Sequence, residues 1–135
     1  GAAAERLAGQ PAGSRGATAD ALAALTDAME AALQDNDLAE WAAADEKFHE
    51  TLVAACGNTR LQRMAGTIED QLHRARMFTL KLRPLPVDSA GQHRAIVDAL
   101  RAGETAAARE AAAGHRRSAC SAILPLVRKL GLSRL

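Results

Sequence analysis

Asp45-Glu46-Lys47-Phe48-His49 sets a carboxylate and an imidazole four residues apart inside a stretch of helical periodicity. Positions i and i+4 of a helix lie one above the other on the same face. At about 100° per residue, Leu38, Trp41, Phe48, Leu52, Val53 and Cys56 gather on one arc, and Asp45 and His49 fall inside it. Glu40, Glu46, Lys47 and Glu50 fall outside. Two ionisable groups are therefore aimed into an apolar core, where an unpaired charge is strongly disfavoured. The chain has to supply partners for them.

Composition narrows where those partners sit. The chain has 135 residues, room for a single core. Hydrophobic residues are 48% of it, mostly Ala and Leu, with no Tyr and few β-branched residues. Ala and Leu are strong helix formers, so an all-α domain is expected. A net charge of +1 gives no electrostatic footprint for nucleic acid. The apolar runs are too short to span a bilayer and no signal peptide is visible, which points to a cytoplasmic protein. Two cysteines are too few for a disulfide framework.

Outward from the opening stretch, Asp37 can cap the helix that carries it, with Glu40 in capping-box position, and Gly57 suits its end. Before it, a helix is expected from about Thr18 to Gln34, with Thr18 as N-cap and a stripe of Leu22, Leu25, Met29 and Leu33. Ala2 to Ala8 reads as the end of a helix and Gly9 to Gly16 as loop. Residues 1–17 are thus expected as a clipped first helix and loop, in a chain cut from a longer one, and residues 18–135 as one helical-bundle domain. Asn58 caps a third long helix with a core stripe of Leu61, Met64, Ile68, Leu72, Ala75, Phe78 and Leu82, stopped by Pro84 and Pro86. Ser89-Ala90-Gly91-Gln92 is a capping-box pattern opening a helix to about Ala102. After Gly103 a last helix starts near Thr105, and Pro125 should kink or end it. Short connections make this an antiparallel bundle of about six helices.

His93 shares a helix face with Ile96, Val97 and Leu100, and His115 lies on a stripe of small alanines. Both stand eleven positions from Glu104, in the turn between their helices. Residues equidistant from the turn of an antiparallel hairpin sit at the same height, so the two imidazoles should face each other. With Asp45 and His49 they make three nitrogens and one carboxylate oxygen, a set that suits Zn²⁺ and also Ni²⁺, Mn²⁺ or Fe²⁺. A lone inward histidine is more often a core residue satisfied by a neighbour. Three of them with an aspartate need more partners than a core usually offers. His73 reads as a surface histidine. Arg74 and Arg76 flank the third helix's stripe, and either could reach a buried carboxylate; Arg76 is on the side nearer Leu72. Cys56, Cys120 and Trp41 read as packing residues.

Asp45-Glu46-Lys47-Phe48-His49-Glu50-Thr51-Leu52, then Cys56-Gly57-Asn58-Thr59-Arg60-Leu61, resembles the D-x-x-F-H-x-x-L and G-N-x-x-L signatures of the effector-binding C-terminal (FCD) domain of FadR-type regulators in the GntR family. Gln92-His93-Arg94-Ala95-Ile96 with Ala99-Leu100-Arg101-Ala102-Gly103-Glu104 is similar to its second signature, with Gln92 for the usual Glu and Glu104 for the usual Asp. The similarity covers about Thr18 to Ala122. It implies a helical bundle with a central cavity, and a divalent metal held by Asp45, His49, His93 and His115. It implies a small carboxylate effector bound through the metal's open positions and a basic residue on the third helix, for which Arg76 is the candidate, and it implies a homodimer. The family's winged-helix DNA-binding domain is not in this sequence, so operator DNA should be bound only through that domain. Sugar acids, hydroxy acids and dicarboxylates would all suit such a cavity.

Two other classes fit the residues less fully. A metal-dependent hydrolase would need a general base beside the ion, for which Glu69 is the candidate. A purely structural bundle would pair its polar core groups with one another.

Overall fold

The structure is a computed structural model; it describes residues 1–82 and 85–129, and of Glu69 and Asp70 the backbone alone. Pro84, expected to help stop the third long helix, lies outside the described residues. Among the described residues six helices follow in order: α1 (Ala2–Ala8), α2 (Ala12–Gln34), α3 (Leu38–Ala54), α4 (Thr59–Thr79, continued by a 3-10 turn at Leu80–Leu82), α5 (Val87–Ala102) and α6 (Thr105–Lys129). Among the described residues there is no strand, and no helix is long and apolar enough to cross a membrane. The chain is the all-α bundle that its composition implies.

Helix α2 packs along α3 and α5, α5 pairs with α6, and α1 lies against α6. Leu7, Leu22, Met29, Trp41, Phe48, Ile96 and Leu100 fill the middle, all fully or almost fully buried. Ala4, Ala8, Ala19 and Ala108 are buried among them and let the helices approach closely. Helix α3 starts where its sequence says: Asp37 Oδ1 accepts from the amides of Ala39 and Glu40 at 3.1 and 2.9 Å. It ends ahead of Gly57, whose φ of 67° lies in the left-handed region that favours glycine.

Asn58 then caps α4, its Oδ1 accepting from Arg60 and Leu61 amides at 3.1 and 3.0 Å. Replacing Asn58 by Ala is expected to cost about 1 kcal/mol of stability, read as a lowered urea midpoint with unchanged slope.

Three elements, α2, α5 and α4, depart from the sequence reading, and α6 starts at Thr105 as expected. Helix α2 begins at Ala12, so Gly13 and Gly16 are helical, and Thr18 is interior, its hydroxyl donating to the Ser14 carbonyl at 3.2 Å. Helix α5 begins at Val87 with Pro86 before it, so Ser89 sits inside the first turn rather than at the cap. Helix α6 runs through Pro125 to Lys129; the proline removes one backbone donor without ending the helix. Helix α4 is turned. Of its expected core stripe, Met64, Ile68, Phe78 and Leu82 are exposed, while Arg76, Thr79 and Leu80 are buried. The helix packs on α3 and α6 and presents to them the side that carries Arg76.

Candidate metal centre

Asp45 and His49 point inward from consecutive turns of α3, His93 from α5 and His115 from α6, and all four are buried. One ligand atom from each lies within 4.8 Å of the others. Asp45 Oδ1 is 3.4 Å from His93 Nε2 and 3.7 Å from His49 Nε2. His49 Nε2 and His115 Nε2 are 3.2 Å apart. The imidazoles of His93 and His115 meet across the α5–α6 hairpin with ring centroids 4.3 Å apart, as their equal distance from the turn predicts.

The far side of the rings fixes what the near side offers. His115 Nδ1 is 2.9 Å from Gln92 Oε1, and His93 Nδ1 is 3.4 Å from the Ser89 hydroxyl. An amide oxygen only accepts, so His115 donates from Nδ1 and its Nε2 carries the lone pair. His93 Nε2 is buried with no hydrogen-bond partner. His115 Nε2 thus accepts from His49 Nε2 across their 3.2 Å contact, while His93 Nε2 faces the Asp45 carboxylate without a hydrogen bond. Ligand atoms at about 2.0–2.2 Å from one ion stand at most about 4.4 Å apart, so these four need to close in only slightly to share one.

Protonation favours the same state. Burial lowers His93 to about 3, against the opposing pull of Asp45. Burial also lowers His115, as do charges on His93 and His49. Both imidazoles are therefore neutral ligands at neutral pH. For Asp45, burial pushes the carboxyl up, but the hydrogen bond and charge of His49, then Arg76 and His93, override it and hold it below the usual carboxylate range. With His93 neutral, Arg76 carries more of that burden. Its Nη1 pairs with Asp45 Oδ2, leaving Oδ1 to face the histidines. The cluster could hold a metal ion, by the charge and lone pairs of its donors as well as their spacing.

Arg76 is buried and Arg74 exposed, which separates the two arginines that angular counting leaves level. The partners that sequence reasoning missed are Ser89 and Gln92, taken together as a capping box. The signal was there: Ser89 precedes His93 by four residues, one helical turn on the same face. His73 Nδ1 lies 3.4 Å from Glu46 Oε1, and its side chain is partly exposed. Cys56 is buried, Cys120 partly so, and both are free thiols. Glu69, the candidate base of a hydrolase, has its side chain outside the described residues.

A cavity of about 440 Å³ opens beside the cluster, touching Asp45, Arg76, Gln92 and His115 at its polar end. A second, of about 270 Å³, reaches His49 and Arg76 from the α3–α4 side. The first is of the size that takes a small molecule.

Comparison with known proteins bears on the family. The chain is similar to an uncharacterized HTH-type transcriptional regulator in the TAR-I ttuE-ttuC' intergenic region of Agrobacterium vitis, at 57% identity over 54 residues. That match covers 40% of this chain and 32% of the relative, so the chain spans about a third of that regulator's length. The FCD domain family matches residues 1–118, nearly the whole bundle and all four clustered side chains. With that match added to the fold and to the signatures around Asp45 and His93, the chain belongs to the FCD domain family of FadR-type regulators.

Proposed function

We propose that this chain is the effector-sensing domain of a bacterial transcription factor, in which Asp45, His49, His93 and His115 hold one divalent metal. The observation that carries the reading is the convergence of four buried ligand atoms within 4.8 Å, beside a cavity of small-molecule size. Three imidazoles and one carboxylate favour zinc, with nickel, manganese and iron(II) as the other fits. When bound, such an ion supplies positive charge and an open position for an anionic ligand. The effector is a small carboxylate. Arg76 keeps Asp45 in place through Oδ2 and also lines the cavity, where its remaining N–H donors would meet the same carboxylate.

The role is binding rather than turnover. The domain works in a cytoplasmic, homodimeric regulator whose operator contacts are made by a separate DNA-binding domain. Effector binding changes the arrangement of the pair only so far as it favours one arrangement over another.

The test is metal content. Elemental analysis of the purified chain should find roughly one divalent ion per chain, and His93→Ala should carry almost none. A His93→Ala protein that keeps a full complement of metal would show the ligands to be misassigned.

A further inference from the structure

The polar end of the larger cavity is only half of it. Its lining also includes the apolar Leu82, Leu85, Val87 and Leu126, and the buried Trp41. Leu82, Leu85 and Val87 are among the most exposed large apolar side chains in the protein, at 55%, 44% and 63%. All three line the same cavity, so part of its apolar lining is open to water.

Charge and hydrogen-bonding capacity along the same wall restrict the ligand further. Among the described lining residues Arg76 is the one cation, and it sits at the inner end, already paired with Asp45. The second carboxylate lining the cavity is Asp88, in the first turn of α5. A dicarboxylate would bring its distal charge toward Asp88 with no described cation to meet it. Two of the neutral polar side chains on the lining, Ser89 and Gln92, are engaged by His93 and His115. Asp88 and Ser118 could meet only some of a sugar acid's hydroxyls; those lying along Leu82, Leu85 and Val87 would be unpaired, which disfavours binding.

We propose that the effector is an aliphatic monocarboxylate, with its carboxylate at the Arg76 and His115 end and its hydrocarbon chain along Leu82, Leu85, Val87 and Leu126. This rests on the carboxylate-sensing role proposed above and narrows it: dicarboxylates and polyhydroxy acids, which the sequence leaves open, are selected against.

Calorimetric titration of the zinc-loaded chain tests this, with acetate, butyrate, hexanoate and octanoate as a series, and adipate and gluconate beside them. Affinity should rise by roughly threefold to fourfold for each methylene buried, with adipate and gluconate weaker than hexanoate by on the order of tenfold or more. A flat series, or adipate or gluconate binding more tightly than hexanoate, overturns the monocarboxylate assignment and leaves the sensing role standing. Zinc loading with no carboxylate binding at all overturns the sensing role itself. In a Leu82→Gln, Leu85→Gln double variant, both at exposed positions, the ratio of octanoate to acetate affinity should fall by roughly tenfold. An unchanged ratio would take the chain off this wall.

Discussion

Asp45→Ala should destabilise the metal-free domain by about 3–5 kcal/mol, the usual cost of leaving one partner of a buried ion pair without the other. Asp45 is 1% exposed and Arg76 is 3% exposed, and the two are paired through Oδ2 and Nη1. Removing the carboxylate leaves a guanidinium inside α4's buried face. A domain of this size has only about 5–15 kcal/mol in all, so the melting temperature should drop by roughly 10 °C or more. The second half of the prediction is the sharper one. Adding Arg76→Met to Asp45→Ala should recover much of the loss, because replacing both members of a buried pair by apolar groups is often neutral. Urea unfolding of the two variants, with chelator present, separates the pair from any metal. If the double variant is no more stable than Asp45→Ala alone, the buried charge on Arg76 is not what the missing carboxylate costs.

That pair also explains what the sequence could and could not announce. The inward turn of Asp45 and His49 is written in their spacing, because α3 is apolar along one arc and both residues lie on it. The meeting of His93 and His115 is written in their equal distance from Gly103-Glu104. The facing of α4 is not written anywhere local. Its apolar stripe through Met64, Ile68 and Phe78 is real, but periodicity says that residues share a face and not which neighbour covers it. The helix is turned so that Arg76 meets Asp45, and the carboxylate that decides this lies on another helix. The same partner decides between Arg74 and Arg76.

The start of α2 was hidden for a similar reason. Gly9 to Gly16 has the composition of a loop, yet residues 12–16 are helical. Gln10 Nε2 donates to the Ala55 carbonyl at 2.7 Å, a tertiary bond, and Arg15 Nη1 donates to the Gln10 carbonyl at 3.1 Å, so the start of the helix is tied to a residue anchored at the end of α3. Ser89 and Gln92 were visible as a pattern and misread in role. A helix whose cap is Pro86, three residues earlier than Ser89, carries the same pair from the cap to the rings of His93 and His115.

Acid should unfold the metal-free domain through its buried imidazoles. His93 is lowered from 6.5 to about 3 in the folded chain, and His115 is lowered as well, both chiefly by burial. A depressed folded pKa contributes stability that is fully present above the unfolded value of 6.5 and is lost as pH falls toward the folded one. Below 6.5 the unfolded chain takes up two protons that the folded chain refuses. Each contributes at most about 1.4 kcal/mol per pH unit. Between pH 7 and 5 the loss should therefore be roughly 2–4 kcal/mol, read by urea unfolding with chelator present. Asp45 does not act in this window, since its carboxyl is held below the ordinary 3.8. Replacing His93 and His115 together by Asn should flatten the profile; a native profile already flat from pH 7 to 5 would mean that the rings are not held neutral by the fold. Zinc at about 1,000 times its dissociation constant should add about 4 kcal/mol at pH 7.5. Ligation needs both rings unprotonated, and burial has met that condition before any ion arrives. The work of keeping His93 and His115 neutral thus falls on folding rather than on metal binding, which is why acid should be felt first as lost stability of the bundle.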